Sequence, residues 1–264
     1  MSKKTQTAKR LSKSTKDSFI NFGIVIVLYI VMMILQSAGI LSSSMKGFLV
    51  PVCIYVIMAV SLNLVVGILG ELSLGHAGFM CVGAYTSAIF SKLTESTITA
   101  APLRFTLAII VGAFFAAIFG ILIGIPVLRL KGDYLAIVTL AFGEIIKNVV
   151  NIIYFGVDSN GWHFSTKSTA ELGLEADGDI IIKGAQGISG TPKDATFTIG
   201  IILVIITLFV VQNLVNSRDG RAIMAIRDNR IAAESVGINI TKYKLMVFTV
   251  SAALAGAAGA LYSH

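Results

Sequence analysis

The chain has 264 residues, of which 55% are hydrophobic and only 13% charged, with a formal net charge of +7; its mean hydropathy is +0.85. Soluble domains carry about 25% charged residues, so this composition excludes the soluble classes. A large buried α/β core would need polar strand and helix faces at regular spacing, and the sequence has none. It reads as an all-α, polytopic transmembrane helical bundle.

The first sixteen residues hold Lys3, Lys4, Lys9, Arg10, Lys13 and Lys16. No aromatic residue is interleaved with them, which argues against nucleic acid as a partner. Beside an apolar run they read as a basic cytoplasmic N-terminal tail, residues 1–18. The run that follows, 19–35, is long for a signal-peptide core, and Gln36-Ser37-Ala38 is a poor cleavage site. An uncleaved first transmembrane helix is expected, and residues 19–264 form one transmembrane domain.

A spanning helix needs roughly 20 mostly apolar residues. Seven runs qualify, at about 19–39, 48–70, 73–92, 104–127, 134–155, 197–216 and 244–262. Between them lie 42–47, a near-zero turn at Glu71, then 92–103, 129–133, 156–197 and 217–244. With the N-terminus in the cytoplasm and alternating spans, the cytoplasmic segments hold fourteen of the twenty-one lysines and arginines, and the outer segments hold six. This bias supports a cytoplasmic N-terminus. The outer loop, about 156–196, is net acidic. Cys53 and Cys81 both sit in apolar runs and read as small packing residues rather than a disulfide. The last span ends almost without a flank, which leads us to expect the front part of a longer protein.

The stretch ELSLGHAG (71–78) joins two apolar runs with almost no loop. A Gly-rich break at membrane depth is tolerated only where it is buried in protein or lines a cavity, and ionisable groups there are functional candidates. Asn63, Gly70, Glu71, Ser73, Gly75, His76 and Gly78 are therefore candidates for a translocation pathway or for helix packing. The plainer alternative is a tight cytoplasmic turn with Glu71 solvated and His76 hydrogen-bonded at an interface. One His with one Glu makes no metal site.

Glu144, Lys147, Asn148 and Asn151 share one helix face, by i, i+3 and i, i+4 spacing. They read either as a polar stripe along a permeation path or subunit seam, or as a Glu–Lys pair that neutralises itself and locks one helix against another. The second is the cheaper way to keep such groups in a membrane. The long outer loop contains GAQGISGTP (184–192), whose glycines suggest turns, and a loop of that length is functional or partly disordered. No phosphate loop and no G-x-S-x-G occurs. Catalytic residues and cofactors are accordingly not expected.

The segment SRDGRAIMAIRDNRIAAESVGINITKYK (217–244) is basic between two apolar spans. Ile223, Met224, Ile226 and Ile231 give no clean stripe, so an interfacial amphipathic helix is disfavoured. The pattern predicts two short helices broken near Asp228-Asn229, either of which could N-cap the second, with Gly237 at its C′ position. Ala222, Ala225, Ala232, Ala233 and Gly237 are small enough to let another protein approach. The segment reads as a solvated loop or as a docking element.

Three blocks carry a family resemblance: SLNLVVGILGELSLGHAGFMCVGAYTSA (61–88), LRLKGDYLAIVTLAFGEIIKNVVN (128–151) and GRAIMAIRDNRIAAESVGINITKYKLMVFTVSAALAGAAGALY (220–262). Together they cover more than a third of the chain. The chain resembles the permease subunits of branched-chain amino acid ABC importers. The resemblance implies a multi-pass subunit in the cytoplasmic membrane of a prokaryote. Its partners would be a second homologous permease, two cytoplasmic ATPases that carry the hydrolysis, an extracytoplasmic substrate-binding protein and membrane lipid. The cargo would be leucine, isoleucine or valine. Such permeases often seat a helix with the pattern E-A-A-x3-G in the ATPase. Here Ala232, Ala233 and Gly237 keep the spacing, while Ile231 replaces the Glu and Thr249-Val250 stand where Leu-Pro often follows. With the flanking Arg221, Arg227, Arg230 and Glu234, these form the expected coupling set in the loop at about 217–243. Three alternatives remain: a urea or short-chain amide importer permease, an ion-coupled transporter with a Glu144–Lys147 relay, and a structural membrane subunit.

Overall fold

The computed structural model describes residues 2–95, 97–127, 133–158, 161–174 and 178–264. Arg129 and Lys131 of the short connector, Glu175 and Asp177 of the long one, and the side chains of the N-terminal tail lie outside the described residues. Nine α-helices are described: α1 (Ser2–Ser37), α2 (Ser43–Asn63), α3 (His76–Leu93), α4 (Ala101–Val127), α5 (Asp133–Asn151), α6 (Phe197–Asn216), α7 (Arg218–Asp228), α8 (Arg230–Ser235) and α9 (Ile240–Tyr262). A one-turn π-helix, Leu64–Leu69, prolongs α2.

Six of these stretches are long and apolar enough to cross a membrane: Ile20–Ser37, Ser43–Leu69, Ala101–Val127, Tyr134–Asn151, Phe197–Asn216 and Ile240–Tyr262. The seventh expected span corresponds to α3. It has 18 residues, about 27 Å at 1.5 Å per residue, and its composition is diluted by Gly78, Gly83, Ala84, Ser87 and Ser91, all buried. Small residues are the means by which membrane helices pack backbone to backbone. A Cβ on Gly83 would lie 2.2 Å from the carbonyl oxygen of Gly256, and one on Gly259 would lie 2.0 Å from that of Met80. Helices α3, α4 and α9 thus form the tight centre of the bundle. Of the six spans, α9 is the most enclosed. At the other extreme, none of the α1 span is buried; Tyr29 hydrogen-bonds Thr198 at the start of α6 at 3.1 Å.

The long connector folds instead of forming a loose loop. β1 (Tyr154–Asp158), β2 (Gly161–Ser165) and β3 (Asp179–Lys183) make an antiparallel sheet in the order β2-β1-β3. Phe155, Ile181 and Ile182 bury a small apolar cluster against Ala88 of α3. Lys92 at the end of α3 pairs with Asp179 at 2.9 Å, Arg104 in α4 pairs with Asp194 at 3.1 Å, and Thr191 donates to the Ser263 carbonyl at 2.7 Å. The sheet therefore caps one end of the bundle. The fifth helix also stops at Asn151, short of the expected residue 155, because the chain enters β1 at Tyr154.

Candidate functional site

At the end of the bundle opposite the sheet, the second and third spans are separated by six non-helical residues, 70–75. This corrects the expected near-zero turn: the second span ends at Leu69 and the third begins at His76. The π-helix ends in Gly70, whose φ of +78° is left-handed, a conformation Gly adopts without steric cost. The backbone then runs against α5. A Cβ on Gly75 would lie 2.2 Å from the Thr139 carbonyl oxygen, so only Gly fits there. The Leu74 N–H donates to Thr139 Oγ1 at 3.0 Å. Within the break Ser73 and Gly75 are buried and Glu71 is half-buried, while Gly70, Leu72 and Leu74 are exposed, so one side packs on the bundle and the other borders open space.

Its polar side chains are placed individually. Ser73 and His76 are buried. Ser61 Oγ lies 3.0 Å from the Met58 carbonyl oxygen and is hydrogen-bonded to His76 Nε2 at 2.7 Å. Ser251 of α9 donates to the Ser61 carbonyl at 2.6 Å. Glu71 is ion-paired with Lys244 of α9, whose side chain is only 3% exposed. Glu71 is therefore not a solvated turn residue, while His76 is the hydrogen-bonded interface residue of the plainer reading. Asn63 is exposed, its side chain lying over Gly67. Gly78 packs on Phe142.

The basic segment forms two helices. Ser217 caps α7, accepting from the Gly220 N–H at 3.0 Å. Asn229 caps α8, accepting from the Ala232 N–H at 3.0 Å. Gly237 ends it with a φ of +84°. Breakpoint, cap and C′ glycine are all where the sequence places them. Helix α7 does have an apolar stripe: Ile223 and Ile226 are buried against the bundle's own end. Arg227 Nη1 donates to the Gly67 carbonyl of the π-helix at 3.0 Å, and its aliphatic stem covers Gly70. Ala233 is buried with Ile226 and Ile240. Arg221, Arg230, Ala232, Glu234 and Gly237 are exposed. So are the apolar Ile231 (81%) and Val236 (75%).

A groove runs along α3 from the break towards the sheet. Ala77, Cys81 and Tyr85, one helical stripe, border cavities on both sides. One, of about 560 Å³, reaches Tyr55, Tyr262 and the turn at Gly187. The other, of about 400 Å³, lies between α3 and α5 and includes Leu74, Leu140, Glu144 and Lys147. Glu144 and Lys147 pair at 3.3 Å, so they do neutralise each other. They do not lock two helices together, because both open onto the groove with side chains 56% and 64% exposed. Asn148 is exposed and Asn151 half-buried on the same helix.

Residues 44–264 match the family described as the permease component of the branched-chain amino acid transport system. The chain belongs to that family. The branched-chain amino acid permease protein LivM of Salmonella typhimurium is 37% identical over 225 residues, 80% of this chain and 50% of the relative. The LivM protein of Escherichia coli is 38% identical over 220 residues, with the same shares. A probable LivM protein of Methanocaldococcus jannaschii is 24% identical over 238 residues, 80% of this chain and 64% of the relative. The chain thus spans about half the length of the two bacterial relatives. No solved structure matches it.

As a member of this permease family with six helices long and apolar enough to span, the protein is a multi-pass membrane protein. Sequence reasoning misses how its parts join. It groups Lys244 with the basic loop, yet this residue lies in the second turn of α9 and is buried. It passes over Thr139, Ser61 and Ser251. Their only signal is a small hydroxyl in an apolar helix, which is too common to single out.

Proposed function

We propose that the chain is the transmembrane permease subunit of an ATP-driven, binding-protein-dependent importer of leucine, isoleucine and valine in a prokaryotic cytoplasmic membrane. The observation that carries this reading is the pair of contacts joining the basic segment to the helix break. Arg227 holds the end of the π-helix, and Lys244 holds Glu71. A push on α7 therefore reaches 67–76 through Arg227, and one carried into the first turns of α9 reaches it through Lys244, both by charge-assisted links. Family membership and the names of the relatives support the cargo class. In this reading the N-terminus and 217–244 face the cytoplasm and the sheet faces outward. The permease hydrolyses nothing itself, because ATP is consumed by two ATPase subunits seated on α8. A second homologous permease completes the pathway, and a binding protein delivers substrate at the sheet side.

Exposed Ile231 and Ala232 on α8 serve the test, because they contribute nothing to the bundle core. Ile231→Asp and Ala232→Arg are introduced into the full importer in proteoliposomes. Binding-protein-stimulated ATPase activity and leucine uptake are expected to fall together by roughly tenfold or more, the scale of losing an interface hot spot. Unchanged coupled transport in both variants rejects the docking role.

A further inference from the structure

On the spanning helices, the described ion pairs differ in exposure. Lys244–Glu71 and Arg104–Asp194 are largely enclosed, with side chains between 3% and 20% exposed. Glu144–Lys147 is exposed although it sits within the span Tyr134–Asn151, and it opens onto the groove between α3 and α5. Glu144 is eleven residues into α5, roughly 17 Å along the axis. Charges at that depth are costly against lipid and mark substrate pathways by default. We infer that Glu144 and Lys147 form a station for the charged end of a free α-amino acid, with the aliphatic side chain lying in the apolar part of the same cavity. The inference rests on the proposed transport function.

The chemistry matches in three respects. An α-amino acid carries its ammonium and its carboxylate on one carbon, so it presents two opposite charges side by side. Lys147 and Glu144, 3.3 Å apart, offer the complementary pair. Lys147 Nζ takes the carboxylate and Glu144 takes the ammonium, so one ion pair is exchanged for two and the net charge of the site stays zero. Neutrality in the empty and the occupied state limits the desolvation cost. Beside the charges, Leu74, Ala77, Cys81 and Leu140 line the cavity, and its volume of about 400 Å³ falls within the range of small-ligand sites, roughly 300–1,000 Å³. Leu74 belongs to the helix break, so one wall of the cavity is continuous with the segment that Arg227 and Lys244 hold.

The test uses the complete importer in proteoliposomes with internal ATP, radiolabelled leucine, and a diazirine analogue of leucine as a photolabel. Glu144→Gln and Lys147→Gln are each expected to lower leucine uptake roughly tenfold or more, the scale of losing a hydrogen bond to a charged group. Glu144→Asp and Lys147→Arg are expected to retain most uptake, with ATPase stimulation by the binding protein near wild type throughout. In the wild type the photolabel is expected on α3 and α5 peptides. The inference is overturned if Glu144→Gln/Lys147→Gln transports leucine at the wild-type rate, or if wild-type label falls on other helices. It is also overturned if the double variant is lost from the assembled complex, which would make the pair a subunit seam. Wild-type complexes that import no leucine on ATP would instead overturn the functional reading itself, and the inference with it.

Discussion

Lys244 and Glu71 are separated by 173 positions in the chain and meet as an ion pair. Removing one partner of a buried pair leaves the other charge without compensation, at a cost of about 3–5 kcal/mol. Glu71→Gln is expected near the lower end of that range, since the Glu71 side chain keeps 18% exposure. Adding Lys244→Met should recover most of the loss. Thermal melts of the purified permease in detergent measure both, and a single variant as stable as wild type would show that the pair is not holding the break. At this scale the chemistry of single residues is partly legible in the sequence. Asn229 and Gly237 stand out because capping is local, whereas the burial of Lys244 depends on which helix stands beside it.

At the scale of elements, α8 has only six residues, too few to persist without caps. Its stability therefore rests on Asn229 at one end and, at the other, on left-handed Gly237, where the Ile238 N–H donates to the Ala233 carbonyl at 3.1 Å. Asn229→Ala should cost about 1 kcal/mol, and Gly237→Ala roughly 1–2 kcal/mol for a forced left-handed φ. Both should speed amide exchange across 230–238 while leaving α9 protected. Uniform exchange across the bundle in either variant would contradict the local role. The third span illustrates the opposite limit. Its start at His76 follows from the close contact of Gly75 with the α5 backbone, a tertiary restraint that periodicity does not register.

For the whole molecule, the two ends are chemically distinct: the sheet with Asp158, Asp179 and Asp194 at one, the arginine-bearing α7 and α8 at the other. The positive-inside bias is the basis of the proposed orientation. Thr166, just past β2, and Ser235, at the end of α8, are both exposed. In a Cys81→Ser background, Thr166→Cys should react with an impermeant maleimide from the outer side, and Ser235→Cys only once the cytoplasmic face is opened. The reverse pattern would invert the proposed orientation. Cys53 is buried and should stay unlabelled in both cases.

The sequence by itself determined the membrane class, the number and approximate limits of the spans, the sidedness expected from its charges, and the caps of α7 and α8. Each of these depends on composition or on neighbours a few positions away. Only the tertiary structure decided that Arg227 reaches Gly67, that Glu71 meets Lys244, that the long connector closes into a sheet, and that Glu144 and Lys147 face a cavity beside α3. Spans such as α4 and α6 are apolar nearly all round, so their sequences carry little record of which face turns inward. Rotation, depth and partner are then set by where small residues let backbones approach, as at Gly83 with Gly256 and Gly259 with Met80.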